Sequence, residues 1–170
     1  MIEKRTIIRD ELISSVRQTP MLMGVLNVTP DSFSDGGLYA DRTDALARAK
    51  AMVEEGAAIL DIGGESTRPG STPVSEADEL TRTEQITSDL FETALTPLSI
   101  DTYKAKVAAQ NAAAGAVIVN DISGMTYDPA MADAVAKSGS IIVVTYNRGD
   151  TLEDITFVDD MRAFFGAAYH

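Results

Sequence analysis

The sequence predicts an α/β fold built on parallel strands, and three observations carry that prediction. Five short runs rich in Val, Ile and Leu recur at 21–26, 57–62, 97–100, 116–119 and 140–144. Each is bounded by turn residues, the pattern of strands buried on both faces. Helix-compatible segments lie between them, and this alternation favours parallel strands with right-handed crossovers. Polar or small residues follow nearly every run: Asn27, Gly63-Gly64, Asp101, Asn120-Asp121 and Thr145-Tyr146. Five βα steps fit a small doubly wound sheet, and they also fit five-eighths of a (β/α)8 TIM barrel. A whole barrel takes about 250 residues. The strand ends favour the barrel, where such positions converge on one mouth. A doubly wound sheet needs them mainly at one switch point.

The elements follow in order. Residues 1–20 form an N-terminal arm, helical around 9–17, and 21–170 form the βα domain. The segment 43–55 carries Leu46, Ala49 and Val53 at helical spacing and stops at Gly56. The segment 75–91 begins with Ser75 as N-cap and has Asp78 three residues on, close to a capping box. A third helix, 103–114, ends before Gly115. Asp128-Pro129 reads as a cap followed by Pro at the first helical position, and Gly139 closes that helix. The last amphipathic stretch, 154–169, carries Val158, Met161 and Phe165.

Composition narrows the function. The chain has 170 residues, enough for a sizeable core, and 45% of them are hydrophobic. Lys and Arg total 14 against 26 Asp and Glu, a formal net charge of -12. An acidic chain without a basic block is a poor match for nucleic acid or an anionic membrane. There is no Cys, so disulfides, zinc–thiolate sites and Cys nucleophiles are excluded. The single His is residue 170, which argues against His-dependent triads and metal clusters within the chain. The first residues do not read as a signal peptide, and no apolar run is long enough to span a bilayer. The expectation is a soluble, cytoplasmic protein acting on small molecules.

Four segments carry the chemistry. In the first, a strand runs into Asn27-Val28-Thr29-Pro30-Asp31-Ser32-Phe33-Ser34-Asp35-Gly36-Gly37, a loop dense in turn formers with Phe33 inside it. In the second, Leu60-Asp61-Ile62-Gly63-Gly64-Glu65-Ser66-Thr67-Arg68-Pro69-Gly70-Ser71 sets Arg68 among glycines and hydroxyls, a setting that suits an anion. The third, Ser99-Ile100-Asp101-Thr102-Tyr103-Lys104, ends a buried strand on a carboxylate. Such a group is costly unless it is paired or has a task, and an ion pair with Lys104 is the structural alternative. In the fourth, Ile118-Val119-Asn120-Asp121-Ile122-Ser123-Gly124, Asn120 offers a donor and an acceptor suited to a heterocycle edge. Asp121 reads as a cap or a brace for a neighbouring strand.

These segments, in this order and spacing, closely resemble dihydropteroate synthase, the pterin-binding enzyme of folate synthesis. NVTPDSFSDGG and GGESTRPGS are long, specific matches; SIDTYK and IVNDISG are shorter and fall in the corresponding places. The resemblance covers most of 21–165. It implies a TIM barrel and the condensation of 6-hydroxymethyl-7,8-dihydropterin diphosphate with p-aminobenzoate to 7,8-dihydropteroate and diphosphate. Carried over residue by residue, Asn27 would meet Mg²⁺ and the diphosphate. Phe33 and Asp35 would help form the p-aminobenzoate pocket. Thr67, Arg68 and Pro69 would form the second loop, with Arg68 on the diphosphate or the second substrate. Asp101 and Asn120 would hold the pterin, with Asp101 also stabilising a pterin cation.

Two departures stand out. The fifth strand end reads Val144-Thr145-Tyr146-Asn147-Arg148-Gly149, where the family has a Met-His-Met-like run, so the pocket is altered or reassigned at Tyr146. The strand ends six to eight, which in the family contribute an Asp and a Lys to the pterin and an Arg and a His to the diphosphate, are not among these 170 residues. The expectation is a fragment or one half of a split gene product, inactive alone, with a homodimer reserved for the full-length form. The alternatives are a non-catalytic truncated paralogue and a pterin- or folate-binding methyltransferase relative.

Overall fold

The structure, a computed structural model, describes residues 2–29, 37–66, 71–93, 95–147 and 156–168. The element order is α1 (Ile2–Val16), β1 (Met23–Asn27), α2 (Gly37–Glu54), β2 (Ile59–Gly63), α3 (Glu76–Thr93), β3 (Leu98–Asp101), α4 (Ala105–Ala114), β4 (Ile118–Asp121), α5 (Met131–Ser138), β5 (Ile141–Val144) and α6 (Phe157–Ala168). All five strands pair in parallel, in the order β1-β2-β3-β4-β5. A doubly wound sheet reverses direction at a switch point. This sheet never does, so the order is that of a barrel wall.

Register explains how one strand serves both core and site. Leu26, Ile62, Ile100, Val119 and Ile142 form one line across the sheet. The first four are at most 1% exposed and belong to the main core with Leu80, Leu90, Val107 and Ala108 of α3 and α4. Side chains alternate along a strand, so the next line, one residue on, faces the other way. That line is Asn27, Gly63, Asp101, Asn120 and Val143.

The helices are held by specific polar contacts as well as apolar area. Between α3 and α4, Thr87 Oγ1 donates to Asn111 Oδ1 at 2.7 Å, and Asn111 Nδ2 donates to Thr83 Oγ1 at 2.9 Å and Val107 O at 3.0 Å. Both amide ends of a fully buried Asn are thereby satisfied. Ser75 accepts from Asp78 N at 3.2 Å, as the capping pattern predicted. Gly139 ends α5 in the left-handed conformation, also as predicted.

Some boundaries differ from the sequence expectation. The N-terminal helix runs over Ile2–Val16 rather than 9–17. Its start is pinned by tertiary bonds from Lys4 to Phe91 O, Arg5 to Ala116 O and Ser138 O, and Arg9 to Gly139 O, at 2.6–2.9 Å. Asp128 serves two helices. Its Oδ1 accepts from Ala130 N at 2.9 Å in the turn that leads into α5, and its Oδ2 accepts from Ala105 N at 2.8 Å and so caps α4. Lys104, at the N-cap of α4, has no acceptor to offer, and the loop after β4 supplies one.

Two glycines give a stability test. Gly56 and Gly115 have φ of +109° and +134°. A Cβ on Gly56 would meet nothing within 4 Å, whereas on Gly115 it would lie 2.4 Å from Phe91 Cγ. Gly56→Ala is expected to cost about 1–2 kcal/mol from backbone strain alone. Gly115→Ala should cost about 3 kcal/mol or more, because overpacking adds to the strain. Urea denaturation of both variants checks the difference.

Candidate functional site

Parallel pairing brings four strand-end residues into one line: Asn27, Gly63, Asp101 and Asn120 are successive register partners. They lie on the face opposite the helix-covered core, at the C-terminal ends of β1 to β4. Gly63 leaves a gap in that line. A Cβ there would stand 3.3 Å from Asn27 Oδ1 and 3.8 Å from Asp101 Oδ2. Two residues earlier on the same face, Val25, Asp61, Ser99, Ile118 and Ile141 form a second line. Asp61 and Ser99 are its polar members, and both are buried.

The electrostatics of these two lines are unusual. Asn120 Nδ2 donates to Asp61 Oδ2 at 2.9 Å. Asp61 Oδ1, Ser99 Oγ and Asp101 Oδ1 are buried without a hydrogen bond of ordinary geometry. Burial raises the Asp61 carboxyl above its usual value, with the nearby Ser99 hydroxyl and the Asn120 amide pulling it back in part. Asp101 is pushed up to about 7, first by burial and then by the negative charges of Asp61, Glu79, Asp121 and Glu65. It is a carboxyl with acceptor capacity to spare, and no cation among the described residues is bonded to it.

Lys104 is not that cation. The ion pair with Asp101 considered from sequence does not form. Lys104 Nζ instead lies 2.5 Å from Glu65 Oε2, 2.6 Å from Glu79 Oε2 and 2.7 Å from Val74 O. Tyr103 donates to the other oxygen of Glu65 at 2.6 Å. Burial alone would lift Glu65, but the bonds from Lys104 and Tyr103 reverse this and hold it below the usual carboxylate range. Burial likewise disfavours the Lys104 ammonium, and Glu65 and Glu79 outweigh it, so its pKa is raised. The cluster grips both stems of the segment that carries Thr67, Arg68 and Pro69: Glu65 before it and Val74 after it. Arg82 adds a bond to Gly64 O at 2.8 Å. Gly64 has no room for a side chain, since a Cβ would meet Thr83 Cγ2 at 2.7 Å.

The fifth strand ends differently. Val143 closes the site line with an apolar side chain. Tyr146 makes edge-to-face contacts with Phe157 and Phe164 and donates to Asp160, so it docks α6. Asp121 accepts from Ser123 N at 2.7 Å and Met125 N at 3.0 Å, capping the turn after β4. Phe33, Asp35, Thr67, Arg68 and Pro69 lie outside the described residues.

Asn27, Asp101 and Asn120 are thus brought together as the strand-end pattern predicted. Asp61, Ser99, Glu65 and Glu79 went unremarked in the sequence. Asp61 and Ser99 carried a usable signal: each is a polar residue inside an apolar strand, the argument already applied to Asp101. Glu79 stands four residues before the buried Thr83 on the core side of α3, a weaker cue. Among the described residues no cluster of three or more His, Asp or Glu side chains could hold a metal ion. Asn27 is exposed at the mouth, and its side-chain amide oxygen is the kind of hard ligand that suits Mg²⁺. No helix among the described residues is long and apolar enough to cross a membrane.

Comparison with known proteins agrees with this geometry. The family described as pterin binding enzyme matches residues 23–169. A dihydropteroate synthase of Bacillus subtilis (strain 168) is 48% identical over 134 residues, which are 79% of this chain and 47% of that protein. The crystal structure of dihydropteroate synthase from Clostridium difficile in the presence of pteroic acid superimposes with a TM-score of 0.86. It is 39% identical, covering 89% of this chain and 58% of that one. Xanthomonas albilineans dihydropteroate synthase with 4-aminobenzoic acid gives a TM-score of 0.80 at 40% identity, over 89% and 55% of the two chains. The chain spans about half the length of the curated relatives it matches.

The state of Asp101 makes a stability prediction. Its folded pKa of about 7 lies above the unfolded value of about 3.9. Between those values the folded chain holds the proton and the unfolded chain does not, so stability falls as pH rises through the window. Asp101→Asn should therefore match the parent near pH 4 and exceed it at pH 8 by on the order of 3 kcal/mol. Denaturation curves at the two pH values test this. Lys104→Met leaves two buried carboxylates uncompensated and is expected to cost about 3–5 kcal/mol. A loss under 1 kcal/mol in the same assay would contradict the role given to the cluster.

Proposed function

The chain belongs to the pterin binding enzyme family, and on that premise we propose that it supplies the first five βα units of a dihydropteroate synthase. The reaction joins 6-hydroxymethyl-7,8-dihydropterin diphosphate to p-aminobenzoate. The bond between the pterin methylene and the diphosphate oxygen breaks, and diphosphate leaves with the electron pair. The amine nitrogen of p-aminobenzoate forms the new bond to the methylene carbon and then loses a proton.

The observation that carries this reading is the half-buried Asp101 carboxyl, bonded to no cation among the described residues, in line with Gly63, Asn27 and Asn120. In the resting site its negative charge is penalised by burial and by four neighbouring carboxylates. Positive charge developing on a bound pterin would relieve that penalty, so the carboxylate favours the transition state over the ground state. Asn120 would bind the ring edge. Gly63 leaves the room for the substrate between Asn27 and Asp101.

Asn27 is the residue that would hold Mg²⁺, which would neutralise the departing diphosphate. Arg68, with Thr67 and Pro69, would contact the diphosphate or the second substrate. Phe33 and Asp35 would shape the p-aminobenzoate pocket. The Lys104 cluster supports this reading by fixing both stems of the segment that carries Arg68. We assign the complete barrel to the cytoplasm, acting as a homodimer. The chain alone would be inactive, because β1 and β5 both end the sheet and the face bearing the site is open beside them. Val25 there is 54% exposed and Val143 39%.

Diphosphate release is the assay. The chain completed with the three remaining βα units of a relative should release diphosphate only when Mg²⁺, the pterin diphosphate and p-aminobenzoate are all present. The chain by itself should show no turnover. In the completed enzyme, Asp101→Ala should lower kcat by about 10²–10³-fold. Arg68→Ala should mainly raise the KM of the anionic substrates. A completed barrel whose diphosphate release ignores p-aminobenzoate would refute the assignment.

A further inference from the structure

Asp61 is the feature that the reading above leaves unused. It is 3% exposed and lies inside a strand; its Oδ2 accepts from Asn120, while its Oδ1 has the Ser99 hydroxyl nearby and no hydrogen bond of ordinary geometry. Its register line otherwise holds Val25, Ser99, Ile118 and Ile141, so a valine or isoleucine would be ordinary there. A buried carboxyl with an unsatisfied oxygen costs stability that such a residue would not. Fold alone therefore does not account for it.

Its partner supplies the account. A carboxamide can present either its carbonyl or its amino end, and the hydrogen-bond network decides which. Asp61 Oδ2 accepts from Asn120 Nδ2 at 2.9 Å. That commits the amino end to the floor of the site and leaves Asn120 Oδ1 as the end free to meet a ligand. Asp101, the register neighbour of Asn120, carries an unpartnered Oδ1. We propose that Asp61 is a positioning residue that fixes the Asn120 amide so that Asn120 Oδ1 and the Asp101 carboxylate form a two-acceptor edge. Such an edge selects a heterocycle that presents two adjacent N–H donors. This inference rests on the pterin reading above and specifies how the ring would be recognised.

The test combines a ligand-free readout with a binding cycle, both on the completed barrel. In the parent, exchange of the Asn120 side-chain amide protons, followed by NMR, should be slowed. Asp61→Ala should abolish that protection and Asp61→Asn, which keeps an acceptor oxygen, should retain it. Unprotected protons in the parent would overturn the inference whatever the pterin result. Binding is then read by fluorescence with 6-hydroxymethyl-7,8-dihydropterin diphosphate and Mg²⁺. Asp61→Ala should weaken it about tenfold and Asp61→Asn about threefold or less. Adding Asp61→Ala to Asn120→Ala should cost less than about twofold more, because one residue acts through the other. Losses that multiply across the cycle would overturn the inference while leaving the functional reading intact. A completed barrel that does not bind the probe would overturn that reading itself. Should Asp61→Ala fail to fold, Asp61→Asn combined with Asn120→Ala completes the cycle, and the exchange measurement on the parent stands independently.

Discussion

Parallel pairing in strict chain order is the constraint on which the rest of this molecule depends. Each strand lies beside its sequence neighbour, so residues at matching heights form continuous lines across the sheet. One line, Leu26 to Ile142, is apolar and covered by helices. The adjacent line, Asn27 to Asn120, is polar and faces away from them. A slip of one residue in any pairing would exchange the two, placing Asp101 in the core and Ile100 at the mouth. The site is therefore specified by the same hydrophobic pattern that specifies the fold. Gly63 and Gly64 show how closely the two are joined. Gly63 keeps space open on the site face, and Gly64, one residue on, lets the chain pass tight against Glu79 and Thr83 of α3.

Charge is arranged unequally within this frame. The chain carries a net charge of -12, so carboxylates are plentiful and cations scarce. Buried and half-buried cations go to structural tasks. Lys104 joins Glu65, Glu79 and Val74, and the half-buried Arg5 joins Ala116, Ser138 and Ser140. Among the described residues none is spent on Asp101. A neutral Asn at that position would avoid the repulsion from Asp61, Glu79, Asp121 and Glu65. The retained carboxyl makes sense where a positively charged species is to be met, and it is the opposite of what stability favours.

The strands and their polar ends were legible in the sequence because each rests on a local signal. Asn27, Asp101 and Asn120 interrupt apolar runs, and Gly56, Gly115 and Gly139 end helices by local backbone geometry. What was not legible depends on partners distant in the chain. Lys104 stands three residues from Asp101, yet it bonds Glu65 and Glu79, 39 and 25 positions away. Asp128 stands beside Pro129 in a convincing cap pattern and bonds Ala130 N there, yet its second oxygen caps a helix that began 23 residues earlier. The extension of α1 to Ile2 likewise depends on carbonyls more than 80 residues downstream. Proximity in sequence ranks candidate partners poorly once burial fixes which of them meet.

The two ends of the sheet divide the work. Lys4, Arg5 and Arg9 of α1 bond carbonyls near the ends of α3 and α5 and before β4, the groups that helix termini leave unpaired. These contacts seal the edge where the strands begin, and they need nothing from a ligand. On the site face, Asp101 at its strand end and Asp61 and Ser99 within their strands leave buried polar atoms without a hydrogen bond of ordinary geometry. These unsatisfied groups are a cost that the apolar line behind them must offset. A ligand with N–H donors would remove part of that cost on binding. The same groups that weaken the empty site would then strengthen the occupied one.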